Sequence, residues 1–213
     1  MNRWFDNLPL IGKKIPGKIT LSFLMFLFAI IMSIIFNTTD RVLASIAMLF
    51  SFIGDITLNH NRNHDKQSKQ DFLLGGVAFI VAHIFYCMAY YKKIKFLGYT
   101  FSNPGAFHAI TLLLLITAFM LLRRISMKKA NDTKIFAFGM VYLWITGLNY
   151  MTIFSYSYSA RPIGYLAALG GILFLASDVI IGMEKFFKLR SKAAREAVWW
   201  LYPVGQILLI IMA

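Results

Sequence analysis

"SFIGDITLNHNRNHDK", Ser51–Lys66, passes from an apolar run, through an aspartate, into a basic stretch that contains histidines. An acid in the middle of a membrane helix costs about 2.5–3.5 kcal/mol on insertion scales. Asp55 therefore reads as a group that some function requires. Outward from this segment, the chain alternates apolar runs with short basic connections. Hydrophobic residues make up 59% of its 213 residues and charged ones only 15%; the mean hydropathy is +0.65. These values are too apolar for a water-soluble globule of this length. The expected fold is all-α, a polytopic transmembrane helical bundle.

Seven runs are long enough to cross a hydrocarbon core of about 30 Å at about 1.5 Å per residue: 19–36, 42–59, 72–91, 106–122, 135–154, 163–183 and 197–213. None alternates with the period of two that a membrane β-barrel needs. Residues 1–18 are expected to form a cytoplasmic or interfacial segment, with Trp4, Phe5 and Leu8 as interfacial residues, and 19–213 a single transmembrane domain. "MNRWFDNLPLIGKKIPGK" has neither the apolar region nor the cleavage site of a signal peptide. Gly75/Gly76 and Gly170/Gly171 mark faces where helices can approach closely.

The net charge of +13 points to lipid headgroups, not to nucleic acid, because the basic residues flank the apolar runs. With the N-terminus in the cytoplasm, 17 of the 22 Lys and Arg residues fall inside, and only Arg41, Lys92, Lys93, Lys95 and Arg161 fall outside. The positive-inside bias thus predicts a multi-pass protein of the cell membrane, such as a bacterial inner membrane, with its N-terminus in and its C-terminus out. A reporter enzyme fused after Ala213 is expected to be active only outside the cytoplasm, and one inserted in 123–134 only inside. A cytoplasmic signal from the C-terminal fusion would reverse the orientation.

Few polar groups lie within the runs. Asp55 and Asp178 sit about 6 and 8 Å from cytoplasmic ends, while His83 and Gln206 lie about 16 and 14 Å deep. Two carboxyl groups at matched depth, with a histidine and an amide one to two turns deeper, suggest a polar cavity facing the inner leaflet. Asn59, Tyr86, Tyr142, Asn149 and Tyr202 are the uncharged polar candidates around it. His108 reads as interfacial. Cys87, the only cysteine, excludes a disulfide framework and reads as a buried thiol. His60 and His64 stand i, i+4, but in a polar loop without a third ligand in register. No phosphate-binding glycine loop or nucleophile elbow is present, and no metal or cofactor is expected.

Four segments in order, "SFIGDITL" (Ser51–Leu58), "GGVAFIVAHIFY" (Gly75–Tyr86), "GGILFLASDVIIGMEKF" (Gly170–Phe186) and "YPVGQILLI" (Tyr202–Ile210), resemble the YhhN family, which includes the lysoplasmalogenases. Members commonly have eight spans, and Lys13–Phe28 resembles the start of the family's second, so seven are expected here. The resemblance implies hydrolysis of the vinyl ether bond of a lysoplasmalogen to a fatty aldehyde and a glycerophospho-alcohol. Such a bond is cleaved by protonating the outer alkene carbon, which leaves an oxocarbenium-like cation that water captures. Two carboxyl groups in different environments answer a related problem in glycosidases. Asp55 and Asp178 are the expected catalytic pair. Asn59, His83, Tyr86, Tyr142, Asn149 and Gln206 are expected to hold water or substrate, and Lys66, Lys69 and Lys185 to meet the lipid phosphate. The implied partners are a lysophospholipid substrate and membrane lipids. A proton-coupled lipid transporter or a non-catalytic lipid-binding protein is the alternative, since intramembrane acids also serve proton coupling.

Overall fold

In lipid the backbone must satisfy its own hydrogen bonds, and each apolar run does so as a helix. A computed structural model describes residues 8–10, 13–15, 17–59, 69–97, 133–187 and 191–213, together with Leu113, Ile116, Thr117 and Met120. The helices are α1 (Gly17–Phe36), α2 (Thr39–Asn59), α3 (Lys69–Leu97), α4 (Thr133–Ser159), α5 (Tyr165–Phe187) and α6 (Lys192–Met212). Five of them are long and apolar enough to cross a membrane, over Gly17–Phe36, Thr39–Leu58, Gln70–Lys95, Ala137–Ser159 and Tyr165–Glu184; the apolar part of α6, Glu196–Met212, is shorter. The fourth expected span, 106–122, lies outside the described residues apart from four helical positions. Also outside them are Trp4, Phe5, His60, His64, Lys66, His108 and the side chains of Asn59, Lys69 and Lys185.

Most helices overrun the expected spans. The α3 helix carries Lys92, Lys93 and Lys95 within it, and α5 continues four residues beyond Met183. Hydropathy marks the hydrocarbon core, whereas the backbone stays hydrogen-bonded into the headgroup region. The described part of the N-terminal segment is a short strand pair. Leu8–Leu10 (β1) pairs antiparallel with Lys13–Ile15 (β2), Leu8 opposite Ile15.

Among the described helices each packs on the next, and α6 returns to α1, so these six close into a ring; α2 also touches α6. The faces turned inward follow helical spacing. On α1 these are Ser22, Met25 and Ala29; on α2 Ala44, Met48, Ser51 and Asp55; on α6 Tyr202, Gln206 and Leu209. The outward faces carry Leu24, Ile31, Ile34, Leu74, Ile172 and Trp200, all exposed. The interior thus holds Asp55, His83, Asn149 and Gln206, while large apolar side chains face outward. That arrangement suits a lipid environment, where polar groups are cheaper in the interior.

Local features hold the ring. Asn37 ends α1 in the left-handed region at φ 45°, which Asn tolerates, and its N–H bonds Ser33 O at 3.0 Å. Carbonyls in the last turn of α6 are met from α2 and α3: Ile210 O and Met212 O, which the helix end orphans, and Leu209 O, which also accepts from Ala213 N–H. Arg41 Nη1 donates to Ile210 O (2.9 Å), Tyr90 Oη to Leu209 O (2.9 Å) and Lys93 Nζ to Met212 O (2.8 Å). Two cations at a helix C-terminus also complement its dipole. Asp40 lies 3.6 Å from Lys93.

Gly54 and Gly75 bring α2 and α3 together, and Gly170 and Gly205 do the same for α5 and α6. A Cβ on Gly205 would stand 2.9 Å from both Gly170 O and Phe174 N, backbone atoms that cannot rotate away. Gly205→Ala is therefore expected to lose stability by overpacking, typically about 1–3 kcal/mol, partly offset by the helix propensity of alanine, about 1 kcal/mol. At Gly171 the nearest atom would be an Ile153 methyl at 3.3 Å. Thermal unfolding in detergent should show a lower midpoint for Gly205→Ala than for Gly171→Ala. Equal midpoints would contradict the close packing of α5 on α6.

Candidate functional site

Asp55 is 1% exposed, and every described contact to its carboxyl group is a donor or a cation. Ser22 Oγ and Tyr202 Oη, the latter at 2.7 Å, donate to Oδ2. Lys18 Nζ lies 2.9 Å from Oδ1, an ion pair outside hydrogen-bond alignment. The Lys18 ammonium also sits 5.1 Å from the centre of the Tyr202 ring. Three helices thus meet at one carboxylate: α1 gives Lys18 and Ser22, α2 Asp55 and α6 Tyr202. Gly54, next in sequence, lets α3 approach and packs on Phe79.

Asp178 lies in a second polar cluster. Its side chain is 11% exposed. Tyr142 Oη and Tyr150 Oη, both from α4, donate to its Oδ2 at 3.2 and 3.4 Å, and His83 Nε2 from α3 stands 3.4 Å from the same oxygen. Oδ1 makes no bond to a described residue. On the other side of the imidazole, Asn149 Nδ2 lies 3.0 Å from Nδ1. An amide nitrogen can only donate, so Nδ1 accepts and the ring proton sits on Nε2, which lies 3.4 Å from Tyr142 Oη as well as from Asp178. Ser177 turns its hydroxyl back to Phe174 O at 2.7 Å, which leaves Asp178 as the polar group of the pair that faces the cluster.

A third set completes the network. Tyr86 Oη donates to Gln206 Oε1 at 2.6 Å, and Gln206 Nε2 donates to Ser51 Oγ at 3.2 Å. Ser51 and Gln206 stand one helical turn from Asp55 and Tyr202, respectively. Phe174 links the sets, with ring centroids 5.1 Å from His83 and 5.5 Å from Tyr202.

The expected residues are thus only partly brought together. Asp178, His83, Tyr142 and Asn149 form one hydrogen-bonded group, while Tyr86 and Gln206 form another. Asp55 joins neither directly and communicates through Tyr202 and Phe174. His83 also meets Asp178 directly, whereas residue counting puts the histidine deeper. Both helices run past the expected spans, α3 from Lys69 and α5 to Phe187, so distance from a helix end does not give a common depth. Asp55, His83 and Asp178 do not form a metal-binding group; none of three or more such residues occurs among the described residues.

Sequence reasoning missed Lys18, Ser22, Ser51 and Tyr150, and named Tyr202 as a polar candidate without giving it a role. Lys18 had been counted as a topology charge. Its signal was spacing: Lys18, Ser22, Met25 and Ala29 lie on one face of α1, three of them buried.

A membrane-embedded helical bundle with two interior aspartates in separate hydrogen-bond settings is the class these observations define. The chain belongs to the YhhN family, whose sequence model matches residues 15–212. No curated protein and no solved structure matches it significantly.

Proposed function

We propose that the protein is a membrane-embedded hydrolase that cleaves the vinyl ether bond of a lysoplasmalogen, or of a closely related lysolipid, with Asp55 and Asp178 in different roles. The observation that carries this reading is the contrast between the two carboxyl groups. Asp55 takes two donors at Oδ2 and the Lys18 cation beside Oδ1, a setting that favours a carboxylate charge. Asp178 accepts its bonds at Oδ2 alone, so a proton on Oδ1 leaves all of them intact. Asp178 is the general acid and Asp55 the fixed charge, a division of labour that paired carboxyl groups use elsewhere.

In this mechanism Asp178 Oδ1 gives its proton to the outer alkene carbon. The π electrons form the new C–H bond, and positive charge spreads over the inner carbon and the ether oxygen. Water adds to that carbon and returns a proton to Asp178. The hemiacetal then breaks its bond to the glycerol oxygen, which takes up a proton, and the aldehyde leaves. Lys18, partly exposed, shares its charge with the lipid phosphate, and this leaves more of the Asp55 charge to stabilise the cation. His83 and Tyr142 orient the acid.

The test is aldehyde release by the purified protein from a lysoplasmalogen in liposomes, with the saturated ether analogue as control. Aldehyde from the vinyl ether alone supports the hydrolase. Proton or lysolipid movement across the liposomes without aldehyde would replace it with the transporter reading, which the interior ion pair of Lys18 and Asp55 also suits.

A further inference from the structure

We propose that Thr146 and Asn149 on α4 hold the hydrolytic water beside His83 and Asp178. This inference rests on the hydrolase reading and names the groups that its second step needs. Two oxygens carry it. Thr146 Oγ1 and Asn149 Oδ1 are buried, their residues 2% and 0% exposed; Asn149 Oδ1 has no hydrogen-bond partner, and Thr146 Oγ1 has only the Tyr142 hydroxyl nearby, outside good hydrogen-bond geometry. Buried polar atoms in folded proteins nearly always have a partner, protein or water. The two residues stand i, i+3 and therefore on one face of α4, the face that carries Tyr142, Tyr150 and the Asn149 contact to His83.

The orientation of Thr146 is informative because its neighbours behave differently. Thr152, Ser157 and Ser159, on the same helix, each turn the hydroxyl back to the carbonyl four residues earlier, at 2.8–3.0 Å. This is the ordinary way for a hydroxyl to be satisfied in an apolar setting. Thr146 does not do so, although Tyr142 O stands four residues before it; its hydroxyl lies instead towards the Tyr142 side chain. Ser155 is unpartnered, but nine residues from Thr146 puts it half a turn around α4, away from the cluster.

A buried water needs two to four polar partners. Thr146 Oγ1 can donate to it or accept from it, and Asn149 Oδ1 accepts one of its protons. The second water proton goes to Asp178, which has just given its own to carbon. Water oxygen then bonds to the cationic carbon, and the acid is restored. Asn149 thus acts at both ends of its amide. Its nitrogen keeps the His83 proton on Nε2, and its oxygen orients water. Both are positioning residues.

The discriminating readout is how the cation partitions between nucleophiles. In water–methanol mixtures the cation is captured by water, giving aldehyde, or by methanol, giving the mixed methyl acetal. The parent should favour water beyond the molar ratio. Thr146→Val keeps the volume and removes the hydroxyl. It is expected to raise the acetal-to-aldehyde ratio roughly three- to tenfold, which is what one hydrogen bond is worth. Thr146→Ser should restore the parent ratio. If the valine variant does not fold, Thr146→Ala, which adds no bulk, should show the same shift. A ratio unchanged in a folded Val or Ala variant that still releases aldehyde overturns the water site and leaves the hydrolase standing. A parent that yields neither aldehyde nor acetal overturns the hydrolase and the water site together.

Discussion

Asp178→Asn is expected to lower aldehyde release by about 10²–10⁴-fold, the usual worth of a positioned general acid. The asparagine oxygen can take the place of Oδ2 and keep the bonds from Tyr142 and Tyr150, with His83 Nε2 still beside it. The amide nitrogen then stands where Oδ1 was, and it has no proton to give to carbon. Folding should be nearly unaffected, because the substitution is isosteric and the donors remain satisfied. Lysolipid binding should persist as well, so the loss should appear in kcat and not in KM. His83→Ala should cost less, since the imidazole orients the acid without supplying the proton. An Asp178→Asn variant with near-parental turnover would remove Asp178 from the chemistry.

Asp55→Asn is expected to lower turnover by about 10²–10³-fold, the range found when a preorganised electrostatic contact to developing charge is lost. Unlike the change at Asp178, this one should also lower stability. Asparagine can keep the bonds from Ser22 and Tyr202, but it leaves Lys18 without its counter-ion 2.9 Å away. Breaking one side of a buried pair costs up to about 3–5 kcal/mol; Lys18 is partly exposed, so the loss here should be smaller. Lys18→Met combined with Asp55→Asn removes both charges. The double variant should regain thermal stability relative to Asp55→Asn and should not regain activity. Recovery of activity with stability would show that Asp55 serves only the fold.

Much of this architecture was legible because lipid leaves the backbone few choices. The helices follow from the apolar runs, and Asp55, Asp178, His83 and Gln206 stand out as polar groups that must find partners. Their partners were less legible. His83 and Tyr86 are three residues apart on α3, yet His83 bonds to α4 and α5 while Tyr86 bonds to α6. One helix face in the middle of a bundle looks towards several neighbours, and sequence spacing does not choose among them. Lys18 borders an apolar run and so counts in the sequence only among the cytoplasmic charges that set topology. Its long stem instead lets the ammonium reach inward to Asp55. Helix ends were misplaced at α3 and α5 because hydropathy falls where the hydrocarbon ends, not where the hydrogen bonds do. The pairing of Leu8–Leu10 with Lys13–Ile15 was hidden in a segment too short for either periodicity.

Carbon protonation is the step on which the whole account depends, and it leaves a label. Purified protein in liposomes made with D2O, given a lysoplasmalogen, should release an aldehyde with one deuterium on the carbon next to the carbonyl, as read by mass spectrometry. The saturated ether should give no aldehyde, and Asp178→Asn should give almost none. Aldehyde released without deuterium at that carbon, or no aldehyde from a folded parent protein, would contradict the account.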